Sequence, residues 1–185
     1  RTGQKVPTAS EAIKRLAAQG LVNHERYAGV TLTEEGMALA MGMVRRHRLL
    51  ETFLVQELGY TWDEVHADAD LLEHACSDLF IERLDAHLGS PTRDPHGDPI
   101  PNAQGVIDVL EGDTLDRAPV GVPLIIERVC DEDPEFLRYL DRCGVDVGDE
   151  VVVTARIAGL VEVRHGAEEF SLAEVAAREV TVRSA

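Results

Sequence analysis

Apolar positions recur at helical spacing along the first half of the chain and at strand-like spacing along the second. Ala9, Ala12, Ile13, Leu16 and Ala17 fall on one face of a helix over 8–19, with Thr8 as cap, Glu11 three residues on, and Gly20 as stop. Leu21–His24 and Val30–Thr33 flank Tyr27-Ala28-Gly29 as a β-hairpin. Thr33 then caps a long helix, with Glu34 and Glu35 in its first turn and Gly59 ending it after Leu58. Val65, Ala69, Leu72, Ala75, Leu79 and Leu84 predict a second long helix from Asp63 to about Leu88, stopped by Gly89-Ser90-Pro91. Residues 102–118 read as a linker with a weak apolar patch at Val106–Leu110. Beyond Gly121 the period changes. Val122–Val129, Glu150–Ile157, Leu160–Val163 and Val180–Val182 predict short strands of a small barrel, interrupted by a helix near Pro134–Cys143.

Composition adds three constraints. No stretch is apolar enough to span a membrane, and no leader-like segment follows Arg1, so the expected compartment is the cytoplasm. Cys76, Cys130 and Cys143 are too few and too widely spaced for a disulfide framework. The net charge of −16 is unevenly spread. Residues 1–48 carry eight Lys/Arg and four Asp/Glu, a net of +4, whereas 49–185 carry 10 and 30, a net of −20. A basic head on an acidic body suits a chain that offers one end to nucleic acid, because phosphate responds to the local face.

The candidate chemistry lies in the two middle helices. His47 and Glu51 are four residues apart and share a face; so do His66, Asp70 and His74, with Glu73 beside them. Such stripes also arise as solvated ion pairs. As ligands, nitrogen and oxygen donors without thiolate suit manganese or ferrous iron, with zinc chemically possible.

The run Arg45-Arg46-His47-Arg48-Leu49-Leu50-Glu51, followed by His66, Asp70, Glu73 and His74, resembles the metal-binding core of the diphtheria toxin repressor family, which includes the manganese transport regulators. Gly20-Leu21-Val22 and Leu32-Thr33-Glu34-Glu35-Gly36 resemble its winged-helix segment, and Pro95-His96-Gly97-Asp98-Pro99-Ile100-Pro101 its characteristic turn. The likeness covers about residues 5–101, and the C-terminal part resembles the family's SH3-like (FeoA-type) domain. It implies a multidomain α+β chain. The expected parts are a winged helix-turn-helix over 1–39, an all-α metal-binding and dimerisation segment over 40–101, the linker over 102–118, and an SH3-like β-barrel over 119–185. It also implies a non-enzymatic regulator, loaded with Mn(II) or Fe(II), that binds double-stranded operator DNA as a homodimer and controls metal-homeostasis genes.

Carried over, one metal site takes His47, Glu51 and His66, and the other Asp70, Glu73 and His74. An oxygen donor at Asp70, where iron-responsive members often have cysteine, leans toward manganese. Glu127 matches a carboxylate that the C-terminal domain lends to the first site, while Cys130 replaces that domain's second ligand. His96 is expected to stabilise its turn. The helix over 8–19 becomes the recognition helix, with Pro7, Thr8 and Ser10 toward base edges and Lys5, Lys14, Arg26 and Tyr27 toward phosphate. The family has two helices ahead of the position of Lys5, one of which supplies a ligand. The second site is therefore expected to look incomplete. The alternative from another class is a metalloenzyme with a carboxylate/His dinuclear centre. Such bundles use Glu-x-x-His pairs, whereas Glu73 and His74 are adjacent.

Overall fold

The computed structural model describes residues 6–24 and 29–185, with side chains from Ala9 onward. It divides into two compact units, one of residues 1–45 with 101–106 and the other of 46–100 with 107–185.

In the first unit, helix α1 (Val6–Ala18) leads into a hairpin of β1 (Val22–His24) and β2 (Val30–Leu32), paired antiparallel with Asn23 opposite Thr31. The helix starts earlier than the sequence suggests. Thr8 lies inside it and is not its cap, which fits Pro7 in a first turn that needs no intrahelical amide. Thr33 does cap the next helix, α2 (Glu34–Leu58): its hydroxyl accepts from Gly36 N at 3.0 Å and donates to Gly20 O at 2.7 Å. Gly36 lies so close to the preceding loop that a Cβ would sit 1.9 Å from Leu21 O.

The second unit has two cores. The helical core gathers Leu49, Leu50 and Leu54 of α2, Val65 and Ala69 of α3 (Val65–Ala75), Ile81 and Leu84 of α4 (Asp78–His87), and Ile100. The single helix expected over 63–88 is thus two. Cys76 turns extended (ψ 137°), and the Ser77 hydroxyl accepts from Phe80 N at 3.2 Å as a new cap. Arg46 fastens this break by bonding Cys76 O at 2.8 Å and Asp78.

The other core lies under an antiparallel six-stranded sheet. Its strands are β3 (Asp113–Thr114), β4 (Pro123–Val129), β5 (Glu150–Ile157), β6 (Leu160–His165), β7 (Glu168–Ala173) and β8 (Val180–Ser184), in the order β3-β8-β4-β5-β6-β7. Helix α5 (Pro134–Arg142), capped by Asp133, buries Leu137 and Leu140 in the cluster that also holds Val129, Val153 and Val163. A short α6 (Glu174–Ala177) joins β7 to β8. The sheet is open, with β3 and β7 as unpaired edges, and does not close into the expected barrel. Inside the segment read as linker, β3 pairs with β8, and Leu115 and Ala118 are buried in the sheet's core. Among the described residues no helix is long and apolar enough to cross a membrane.

Candidate metal centre

Helix geometry brings the predicted stripes together. The four-residue spacing of His47 and Glu51 on α2 meets that of His66 and Asp70 on α3 because Leu50, Leu54, Val65 and Ala69 pack the two helices. His47 is the hub. Its Nε2 lies 2.9 Å from Glu51 Oε1 and 3.1 Å from His66 Nδ1. Its Nδ1 lies 2.8 Å from Glu73 Oε2 and 3.6 Å from Asp70 Oδ1. Glu51 is 1% exposed, and its Oε1 also lies 3.2 Å from His66 Nδ1. His74 stands apart, with its side chain 75% exposed and Nε2 3.4 Å from Glu73 Oε1.

The electrostatics follow from this crowding. Burial alone would lower the His47 pKa, but hydrogen bonds and charge from Glu51 and Glu73 outweigh it and raise it to about 9. Burial would likewise raise the pKa of Glu51, but His47, His96 and His66 hold it below the usual carboxylate value. The ring of His47 thus carries the charge that compensates two carboxylates, a role a divalent ion also fills.

Three donor groups converge closely enough to share an ion: His47, His66 and Asp70; Glu51, His66 and Asp131; and Glu51, Asp94 and His96. In each, one ligand atom per residue lies within 4.8 Å of the others. All three residues of the last group are buried, and His96 Nδ1 has no hydrogen-bond partner in its buried setting. Burial, together with repulsion from Asp98 and Glu51, pushes the Asp94 carboxyl up to about 7. An all N/O donor set around a buried carboxylate and an orphaned imidazole nitrogen fits a borderline-to-hard divalent cation.

The structure thus joins His47, Glu51, His66, Asp70 and Glu73, and leaves His74 at the rim. Glu127 is directed elsewhere: its carboxylate pairs with Arg183. The loop after β4 instead brings Asp131 toward Glu51 and His66. Asp131 and Asp94 were missed because no local spacing marks them; both reach the site from loops distant in sequence. His96 does hold its turn, its N–H donating to Asp94 Oδ1 at 2.9 Å, and also joins the donor set. Of the residues expected at DNA, Ser10 and Lys14 are exposed on α1. Lys5, Arg26, Tyr27 and the side chains of Pro7 and Thr8 lie outside the described residues.

Two family models match the chain in succession: "Iron dependent repressor, metal binding and dimerisation domain" over 33–102, and "FeoA domain" over 114–184. The helical module with its converging N/O donors falls in the first of these matches and the six-stranded sheet in the second. A solved structure described as a manganese-dependent transcriptional repressor in complex with manganese is 46% identical, covering 100% of this chain and 87% of that one, with a TM-score of 0.90. The diphtheria toxin repressor of Corynebacterium efficiens is 32% identical over 98% of this chain and 83% of its own length. The iron-dependent repressor IdeR of Mycobacterium tuberculosis is 42% identical over 55% of this chain, a match spanning 44% of IdeR. The chain belongs to the diphtheria toxin repressor family.

Proposed function

We propose that the chain is a metal-dependent transcriptional regulator that binds operator DNA as a homodimer when loaded with Mn(II) or Fe(II). The observation that supports this best is the His47 hub, which draws Glu51, His66, Asp70 and Glu73 to one place around a buried carboxylate. Glu51 and His66 with Asp131, and His47 with Asp70 and Glu73, serve as the metal-binding groups, and His74 lies within reach of the second set. Asp131 takes the part that the sequence offered to Glu127. The bound ion would supply positive charge where three carboxylates crowd, and its hard-oxygen donors favour manganese, with iron next. The family's manganese- and iron-named relatives point the same way.

Residues 1–39 act as the DNA-reading winged helix-turn-helix, with α1 as recognition helix and Ser10 and Lys14 among its contacts. Residues 40–101 are the metal-binding and dimerisation segment. The part from about 113 onward is an SH3-like domain whose sheet stays open. Leu71, Leu72, Leu79 and Phe80 are exposed on α3 and α4, an apolar surface suited to a two-fold partner. Metal selects the dimer geometry in which two heads match half-sites one helical turn apart, a population shift driven by its differential affinity for that state. Glu73→Ala is the test. It should leave the fold intact and abolish manganese-dependent retardation of operator DNA in a gel-shift assay. Undiminished metal-dependent retardation refutes the reading.

A further inference from the structure

Asp131 reaches the metal-binding groups from the loop that leaves β4, whereas Glu51 and His66 belong to the helices, so the site is complete only if sheet and helices are held in register. The turn at Asp94–Asp98 is built into both. On the helical side, Arg48, between His47 and Leu49 on α2, donates to Asp98 Oδ1 at 3.2 Å and to Pro99 O. On the sheet side, Arg128 Nε lies 3.0 Å from the same Asp98 Oδ1. One carboxylate, 13% exposed, therefore holds two guanidinium groups that come from different cores. The backbone repeats the link: Val129 N donates to His96 O at 2.8 Å. Gly97 (φ +88°) permits this approach, since a Cβ there would fall 2.0 Å from Glu127 O and 2.8 Å from Arg128 Cα. Asp131 follows Arg128 by three residues, and Cys130 N between them bonds Glu179 O at 2.9 Å.

We infer that Asp98 is a positioning residue: by clasping Arg48 and Arg128 together it places Asp131 against Glu51 and His66. It touches no ion itself. The inference rests on the reading of Glu51, His66 and Asp131 as metal-binding groups. Hydrogen-bonded partners behind metal ligands commonly set affinity by 10–100-fold, and Asp98 acts at one further remove, through the backbone that carries its ligand.

The experiment is a double-mutant cycle on Mn(II) affinity of the whole chain, measured by competition with a fluorescent chelator. Asp98→Asn should weaken Mn(II) binding about tenfold. Asp131→Asn should weaken it at least as much. Adding Asp98→Asn to Asp131→Asn should then change affinity by less than about twofold. Arg128→Met, which opens the clasp from the other side, should reproduce the pattern, and circular dichroism should confirm that each variant is folded. An unchanged affinity in Asp98→Asn and Arg128→Met, or a full further tenfold loss in the double variant, overturns the inference. If Asp131→Asn binds as the parent does while Glu51→Gln does not bind, the inference also falls, because there is no ligand to position. If Glu51→Gln binds normally too, it is the metal-site reading that has failed.

Discussion

The raised pKa of His47 fixes how metal affinity should depend on pH. With its pKa raised to about 9, His47 is protonated at neutral pH and donates from both ring nitrogens, to Glu51 and Glu73. An ion binding at His47 must displace one of these protons. At pH 7 the group sits about two units below its pKa, so the displacement lowers apparent affinity on the order of 100-fold relative to pH above 9. Apparent Mn(II) affinity should therefore climb close to tenfold per pH unit from about 6.5 to 8.5. Calorimetry under argon in two buffers of different ionisation enthalpy should count about one proton released from this residue per ion. Glu73→Gln removes one of the groups that hold the proton, so the rise should flatten at a lower pH. The same protonation stabilises the metal-free fold: its contribution is complete below the ordinary value of 6.5 and fades as pH rises through about 9. Metal-free protein should thus lose thermal stability between pH 7 and 9.5 while the Mn(II) form holds it. An affinity that is flat from pH 6.5 to 8.5, with no proton release, refutes the account of His47.

Two further expectations concern the buried Asp94 and the crowded Gly36. The buried Asp94 titrates at about 7 instead of 3.8, so its ionised form costs the metal-free fold roughly 4 kcal/mol at pH 8. Asn at this position keeps an acceptor for the His96 and Asp98 amides. Metal-free Asp94→Asn should therefore melt above the parent at pH 8, with the gap shrinking by pH 5; a gap independent of pH argues against it. Gly36→Ala drives a methyl into Leu21 O, 1.9 Å away, at a cost of about 1–3 kcal/mol within the first unit. It should expose 20–45 to limited proteolysis and weaken DNA retardation while leaving Mn(II) affinity within about twofold of the parent.

What the sequence made legible is what one element settles alone. Thr33 and Gly59 bound α2 because capping and left-handed backbone act over a few residues. His47 with Glu51, and His66 with Asp70, could be paired because four residues bring a helix back to the same face. The helix break was hidden because Leu72, Ala75 and Leu79 continue the apolar period straight through it, and only the Ser77 hydroxyl marks a new start. Strand β7 escaped notice because its inward positions are just Phe170 and Leu172. Glu127 and Asp131 show the deeper limit. The register between β4 and β8 shifts between Ile126 and Arg128, placing Glu127 at a bulge. A bulge re-aims the side chains around it, and here Glu127 pairs with Arg183. Strand alternation cannot reveal that shift, nor a carboxylate that reaches Glu51 from 80 positions down the chain. The approach of Asp131 to Glu51 and His66 thus depends on how two cores dock, and docking is written in a shared carboxylate and a glycine, Asp98 and Gly97, rather than in any periodic pattern.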